Sequence, residues 1–134
     1  NPLHLEAGIA SVHAAARSFE ATDWQQLGRY YETLLELKPT PVVRLNAAIV
    51  RAYAVDAAAG LAELEALASE KKLAHYAPYH AARGELLVKL GRDAEAAAAL
   101  ERALECPVNR AEREYLTNKL RSCAAEPGTR AALR

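Results

Sequence analysis

The sequence predicts an all-α fold, a stack of helical hairpins closed by one further helix. Three observations carry this: the composition, the punctuation and an internal repeat. The 134-residue chain is 51% hydrophobic and 25% charged, with alanine dominant among its apolar residues and Phe and the β-branched residues scarce. Alanine gives up no side-chain entropy in a helix, whereas strands favour branched and aromatic side chains. The length suits one domain able to bury most of its apolar surface.

The punctuation marks seven helices. Asn1 and Pro2 open the first, which runs to about Arg17. Thr22, with Gln25 three residues later, forms a capping box for a second that reaches about Lys38. Pro39 stops it, Thr40 caps the third, and Pro41 takes the first helical position, where its missing N–H is no loss. The third ends near Val55. Asp56 opens a fourth, to about Glu70, and Pro78 lies in the first turn of a fifth that closes at Leu90-Gly91, with Gly91 as the left-handed residue beyond the helix end. Asp93 caps the sixth, to about Glu105, and Asn109 caps the seventh, to about Cys123. Residues 1–123 then form the domain, and 124–134, with Pro127-Gly128 and no apolar face, form a tail expected to fray.

Internal repetition separates a solenoid from a bundle. The clearest unit is Leu90-Gly91-Arg92-Asp93-Ala94-Glu95-Ala96, followed by Leu100, Ala103-Leu104-Glu105 and Pro107. It resembles the second half of a tetratricopeptide repeat: a Gly turn, two small packing positions around a large one, and a closing Pro. Fainter copies lie upstream, with Ala96 matching Gly60 (96 − 60 = 36) and Ala103 matching Leu67 (103 − 67 = 36), while Pro107 echoes Pro39. With a family period of about 34 residues, three helix pairs and a C-terminal capping helix account for the chain as a tetratricopeptide-like helical-hairpin solenoid. In it Trp24 is expected as a plug between hairpins, and Gly60 and Ala96 as small residues at helix crossings. The segment from Trp24 to Tyr31 also matches the W-x2-L-G-x2-Y opening signature of such repeats. That register puts the partner helix's packing position at Thr40, between two prolines, and is rejected.

Composition and motifs also limit function. Seventeen basic residues balance seventeen acidic ones. A domain that binds nucleic acid unaided shows a basic surplus, so direct DNA binding is not expected. The apolar runs are too short and too charged to span a bilayer, and no basic stretch precedes an apolar core at the N-terminus, so a cytoplasmic location is expected. Cys106 and Cys123 form no CxxC pair and read as reduced thiols. His4 and His13, nine residues apart, do not share a ligand face, and His75 and His80 straddle Pro78. With no H-E-x-x-H, phosphate-binding Gly loop or G-x-S-x-G, no catalytic, cofactor or metal site is expected.

The interaction candidates are polar and aromatic. His13, Asn46 and either Ala82 or Arg83 fall at matching positions on successive first helices (46 − 13 = 33; 83 − 46 = 37). They form either a partner-binding row along the groove or a structural ladder between packed helices. In peptide-binding tetratricopeptide domains, an Asn and basic residues at such positions grip carboxylates. Tyr76 and Tyr79 flank Pro78 as either an exposed ledge or a seal between the second and third hairpins. Glu112 and Arg113 lie on the solvated face of the last helix or anchor a neighbouring domain.

A wider resemblance rests on blocks in fixed order: Asp23-Trp24, Pro39-x-Pro41-Val42-Val43-x-Leu45-Asn46-x-Ala48, Ala59-Gly60-Leu61, Ala82-Arg83-x-x-Leu86-Leu87, Leu90-Gly91-Arg92 and Asn109-x-x-Glu112-Arg113. Over residues 1–123 they resemble the tetratricopeptide-like C-terminal domain of a subgroup of bacterial extracytoplasmic-function sigma factors. Departures from that pattern are Ala47, where Arg is usual, and the absence of Gly near Asp56. The resemblance implies a fragment of a longer chain whose preceding domains bind polymerase and promoter. It also implies, as partners, those sigma domains or the RNA polymerase core. The competing expectation is a stand-alone adaptor that takes a peptide in its groove.

Overall fold

The computed structural model describes residues 23–124, and within them the fold is all-helical, with six α-helices, one short 3-10 turn and no strand. The helices are α1 (Trp24–Leu37), α2 (Pro41–Ala54), α3 (Ala57–Glu65), α4 (Ala77–Lys89), α5 (Asp93–Leu104) and α6 (Arg110–Ala124), with the 3-10 turn Lys71–Leu73 between α3 and α4. The expected first helix and His13 lie outside the described residues, as does the tail beyond Ala124.

Most helix starts follow the sequence. Thr40 Oγ1 accepts from the Val43 amide at 3.2 Å, with Pro41 in the first turn, and Asp56 Oδ1 accepts from the Ala59 amide at 2.7 Å. Asn109 Oδ1 accepts from the Glu112 amide at 2.7 Å. Each bond satisfies an amide that the first turn would otherwise leave without a partner. Two starts shift by one residue. The cap of α1 is Asp23, whose Oδ1 accepts from the Gln26 amide at 3.0 Å, so the Asp-x-x-Gln box replaces the Thr-x-x-Gln box. Asp93 sits inside the first turn of α5, because the Arg92 carbonyl already accepts the first helical bond, from Ala96 at 2.9 Å.

The helix ends divide more sharply. α4 closes as expected: Gly91 has φ +75°, its amide bonds the Val88 carbonyl, and the Arg92 amide reaches back to Leu87. This paired arrangement needs a residue at ease in the left-handed region. α3, expected to run to about Glu70, stops at Glu65. The Leu64 carbonyl accepts the Tyr79 hydroxyl at 2.8 Å and the Leu67 amide at 3.0 Å, and the Ala68 amide turns to Glu65. The backbone tightens into i→i−3 bonds, yet Leu67 and Leu73 stay buried because that turn keeps them over the core.

Consecutive helices pack as antiparallel hairpins. Gln25 at the start of α1 donates to the Ala54 carbonyl at the end of α2 at 2.6 Å. Gly60 of α3 meets Ala48 and Ala52 of α2, and Gly84 of α4 meets Ala96 and Leu100 of α5. α2 is held on two sides: Val43 and Val50 pack with Tyr31 and Leu34 of α1, while Leu45, Ala48 and Ala52 join the larger core of α3 to α6. The centre of that core is Leu64, Leu87 and Leu100, none with any exposure. Truncating any of them to Ala removes about 2–5 kcal/mol of stability.

Candidate functional site

The first helices of the hairpins, α2 and α4, and the last helix, α6, carry a connected row of aromatic and charged side chains. On α2, Tyr53 lies two turns after Asn46 and so on the same face. Its ring takes Lys89 Nζ of α4 at 4.5 Å from the centroid and stacks at 4.6 Å on Trp24 from the start of α1. One turn before Lys89, Glu85 accepts the Tyr115 hydroxyl of α6 and pairs with Lys119 Nζ of α6 at 3.6 Å. Burial, then the nearby Glu85 carboxylate, pushes the Tyr53 phenol above its usual range. Burial also pushes Tyr115 up, and donation to Glu85 adds to it. Both phenols therefore stay neutral, with the Tyr115 hydroxyl a fixed donor. Tyr115 is half-exposed, and Lys89 is exposed at the edge of α4.

The expected interaction residues distribute unevenly around this row. Asn46 is half-buried on its face, and among the described residues no side chain hydrogen-bonds it. Arg83 points elsewhere: its Nε donates to Glu65 Oε1 at 2.6 Å, tying α4 back to α3. The structure does not bring Asn46 and Arg83 together. The repeat offset shows why, since Gly60 with Ala96 and Tyr53 with Lys89 both differ by 36, which maps Asn46 onto Ala82 (46 + 36 = 82).

The two tyrosines beside Pro78 also part. Tyr79, at 5% exposure, lies inside and seals α3 against α4 through its hydroxyl, so it is no part of an exposed ledge; Tyr76, at 37%, is at the surface. Glu112 and Arg113 are both exposed on α6. Trp24 is half-buried against the α1–α2 cluster as well as on Tyr53, Pro39 is an exposed helix stop, and Gly60 and Ala96 sit buried at crossings.

Tyr53, Glu85, Lys89, Tyr115 and Lys119 were not singled out by the sequence. The signal was present in the 36-residue offset, which pairs Tyr53 with Lys89 once Gly60 and Ala96 set the register. A separate polar knot lies between the 3-10 turn and α5, where the Ala74 carbonyl accepts from His80 Nε2 at 2.8 Å and from Arg102 at 2.7 Å. Arg102 also donates to His75 Nδ1 at 3.1 Å. Among the described residues no group of three His, Cys, Asp or Glu side chains is placed to hold a metal ion, and no helix is long and apolar enough to cross a membrane. Cys106 and Cys123 are buried free thiols.

No protein-family model matches the chain. It is 40% identical over 128 residues to a protein of Rhizobium meliloti (strain 1021) described as uncharacterized. That alignment takes in 96% of this chain and 30% of the relative, so the chain spans under a third of the relative's length.

Proposed function

We propose that this chain is a tetratricopeptide-like protein-interaction domain, the C-terminal regulatory unit of a bacterial sigma factor that contacts its own sigma domains or the RNA polymerase core. The observation that carries an interaction role is the row from Tyr53 through Lys89 and Glu85 to Tyr115 and Lys119. It links three helices into one surface, and tyrosine presents large, rigid contact area with a polar tip. The recurring 36-residue offset and the side-by-side approach of α2 and α4 at Tyr53–Lys89 support the solenoid form. The sigma-factor assignment rests on the ordered sequence blocks. The length of the relative is in keeping with a unit that serves within a larger protein. On this reading the domain works in the cytoplasm, performs no catalysis itself and does not touch DNA.

The test uses the longer protein carrying this domain. Tyr53→Ala with Lys89→Ala is expected to lower co-purification with polymerase core or sigma domains, and to lower promoter-directed transcription in vitro, with the helical circular-dichroism signal unchanged. Full transcription from a folded double variant would refute the role. Capture of free tail peptides by the domain, with polymerase ignored, would select the adaptor instead. A salt-sensitive gel shift of duplex DNA by the 134-residue chain would refute the absence of DNA contact.

A further inference from the structure

α2 has a second functional-looking face, turned away from Asn46 and Tyr53. At 100° per residue, Arg44 and Arg51 each stand about 200° from Asn46 and Tyr53 respectively, on the opposite side of the helix. There α1, α2 and α3 enclose an open cleft of about 320 Å³. Arg44 and Arg51 line it from α2, two turns apart with Ala47 between them, and Arg29 and Gly28 line it from α1. The floor is small, and a Cβ added at Gly28 would meet nothing within 4 Å.

The guanidinium groups are under-used. Arg51 faces Glu63 of α3 at 3.9 Å, beyond hydrogen-bond reach, with both side chains about half exposed. Arg44 gives one nitrogen to Glu70 at 3.2 Å, leaving its other donors to the cleft. Among the described residues no carboxylate pairs with Arg29. A guanidinium presents five donors in a planar fork that fits a carboxylate through two bonds. Three of them around a cleft with a small-residue floor, in a chain whose net charge is zero, make a local attraction for anions.

We infer that the α1–α2–α3 cleft binds a short acidic peptide segment through carboxylates held by Arg29, Arg44 and Arg51. The segment enters over Gly28, where the floor is open, and one of its carboxylates takes the Arg51 donors that Glu63 stands too far away to use. This site is separate from the Tyr53–Lys89 surface and does not depend on the role proposed for it.

The probe is fluorescein-labelled hexaglutamate, titrated with the 134-residue chain by fluorescence anisotropy, with hexalysine as the control. Saturable binding at low ionic strength, weakened but measurable at physiological salt, is expected for hexaglutamate alone. Arg29→Ala with Arg51→Ala is expected to weaken it at least about tenfold, the loss of two charge-assisted contacts. Gly28→Leu fills the cleft without removing a charge and favours the helix, so it is expected to abolish binding in a chain at least as stable. Tyr53→Ala with Lys89→Ala is expected to leave affinity unchanged. No saturable hexaglutamate binding, or binding that survives both cleft variants, would overturn the inference. So would inorganic phosphate competing as well as unlabelled hexaglutamate, since the cleft would then hold any small anion.

Discussion

In the α2–α3 hairpin the glycine at the crossing is Gly60, on the second helix, and it faces Ala48 and Ala52. In the α4–α5 hairpin the corresponding position is Ala96, and the glycine is Gly84, on the first helix, at the place equivalent to Ala48 (84 − 48 = 36). The two crossings thus use the same pair, one glycine and one alanine, in opposite order. What the repeat preserves is the combined volume between the backbones, and either helix can supply the smaller residue. The surroundings are not interchangeable. A Cβ at Gly60 would overlap the Ala52 Cβ and lie 2.8 Å from its Cα and 2.9 Å from the Ala48 carbonyl oxygen. A Cβ at Gly84 would meet the Leu100 side chain at 2.8 Å, with the Ala96 carbonyl at an ordinary 3.5 Å. The first crossing is closed by backbone and the second by a side chain with rotamers to spare.

That contrast sets an order of effects. Ala96→Leu is expected to be the most damaging, at up to about 3 kcal/mol, because a fully buried position has no room for three more carbons. Gly60→Ala should cost about 2 kcal/mol after the gain of about 1 kcal/mol from replacing a helical glycine. Gly84→Ala, with only Leu100 to displace, should cost under about 1 kcal/mol by the same sum. Urea midpoints of the three variants check the ranking. Equal losses at Gly60 and Gly84 would show that the backbones adjust at both crossings. A double-mutant cycle of Gly60→Ala with Ala52→Gly sharpens the comparison, since the two should couple strongly if the overlap with the Ala52 Cβ is the cause.

The hairpins also differ in how they end, and here the sequence was legible on one side only. Gly91 announces the end of α4 because its left-handed φ belongs to few other residues. Thr40-Pro41, Asp56 and Asn109 announce helix starts because a short polar side chain can reach a first-turn amide. Nothing local announces the end of α3. Leu61, Leu64 and Leu67 keep helical spacing through it, and the residue that tightens the turn is Tyr79, fifteen residues beyond Leu64. For the same reason the surface row was only half visible: Asn46 could be placed on a face, but the choice between Ala82 and Arg83 required the register that Gly60 and Ala96 fix. Arg83 then proved committed to Glu65.

Tyr79→Phe isolates that long-range ending. It removes the hydroxyl and leaves the Leu64 carbonyl its bond from Leu67, so the expected loss is about 1 kcal/mol. Freed of its second donor, the Leu64 carbonyl is expected to take the Ala68 amide and lengthen α3. Hydrogen exchange at the Ala68 amide reports this as increased protection. Unchanged protection would mean that the buried Leu67 and Leu73, rather than the tyrosine, enforce the turn.

The smallest expected effect concerns pH at the same junction. His80 is half-buried beneath the 3-10 turn, its ring edge-on to Tyr79 at 5.1 Å, with Arg102 of α5, Arg83 of its own helix and His75 around it. Burial lowers its pKa below the usual histidine value. The bond to the Ala74 carbonyl opposes that shift, and the charges of Arg102, Arg83 and His75 reinforce it. The fold therefore favours neutral His80, and the unfolded chain takes up the proton first as pH falls. The stability that His80 contributes is complete above the unfolded value of about 6.5 and is lost below it, towards the lower folded value. His80→Gln retains an N–H for the Ala74 carbonyl without titrating. Melting temperature followed from pH 7 down to about 5 should fall more steeply in the parent than in this variant, and the two curves should run parallel above pH 7. Parallel curves throughout would mean that the carbonyl bond cancels the effect of burial. The Ala74 knot, with Arg102 as its second donor, would then hold the α3–α4 connection alike in either protonation state.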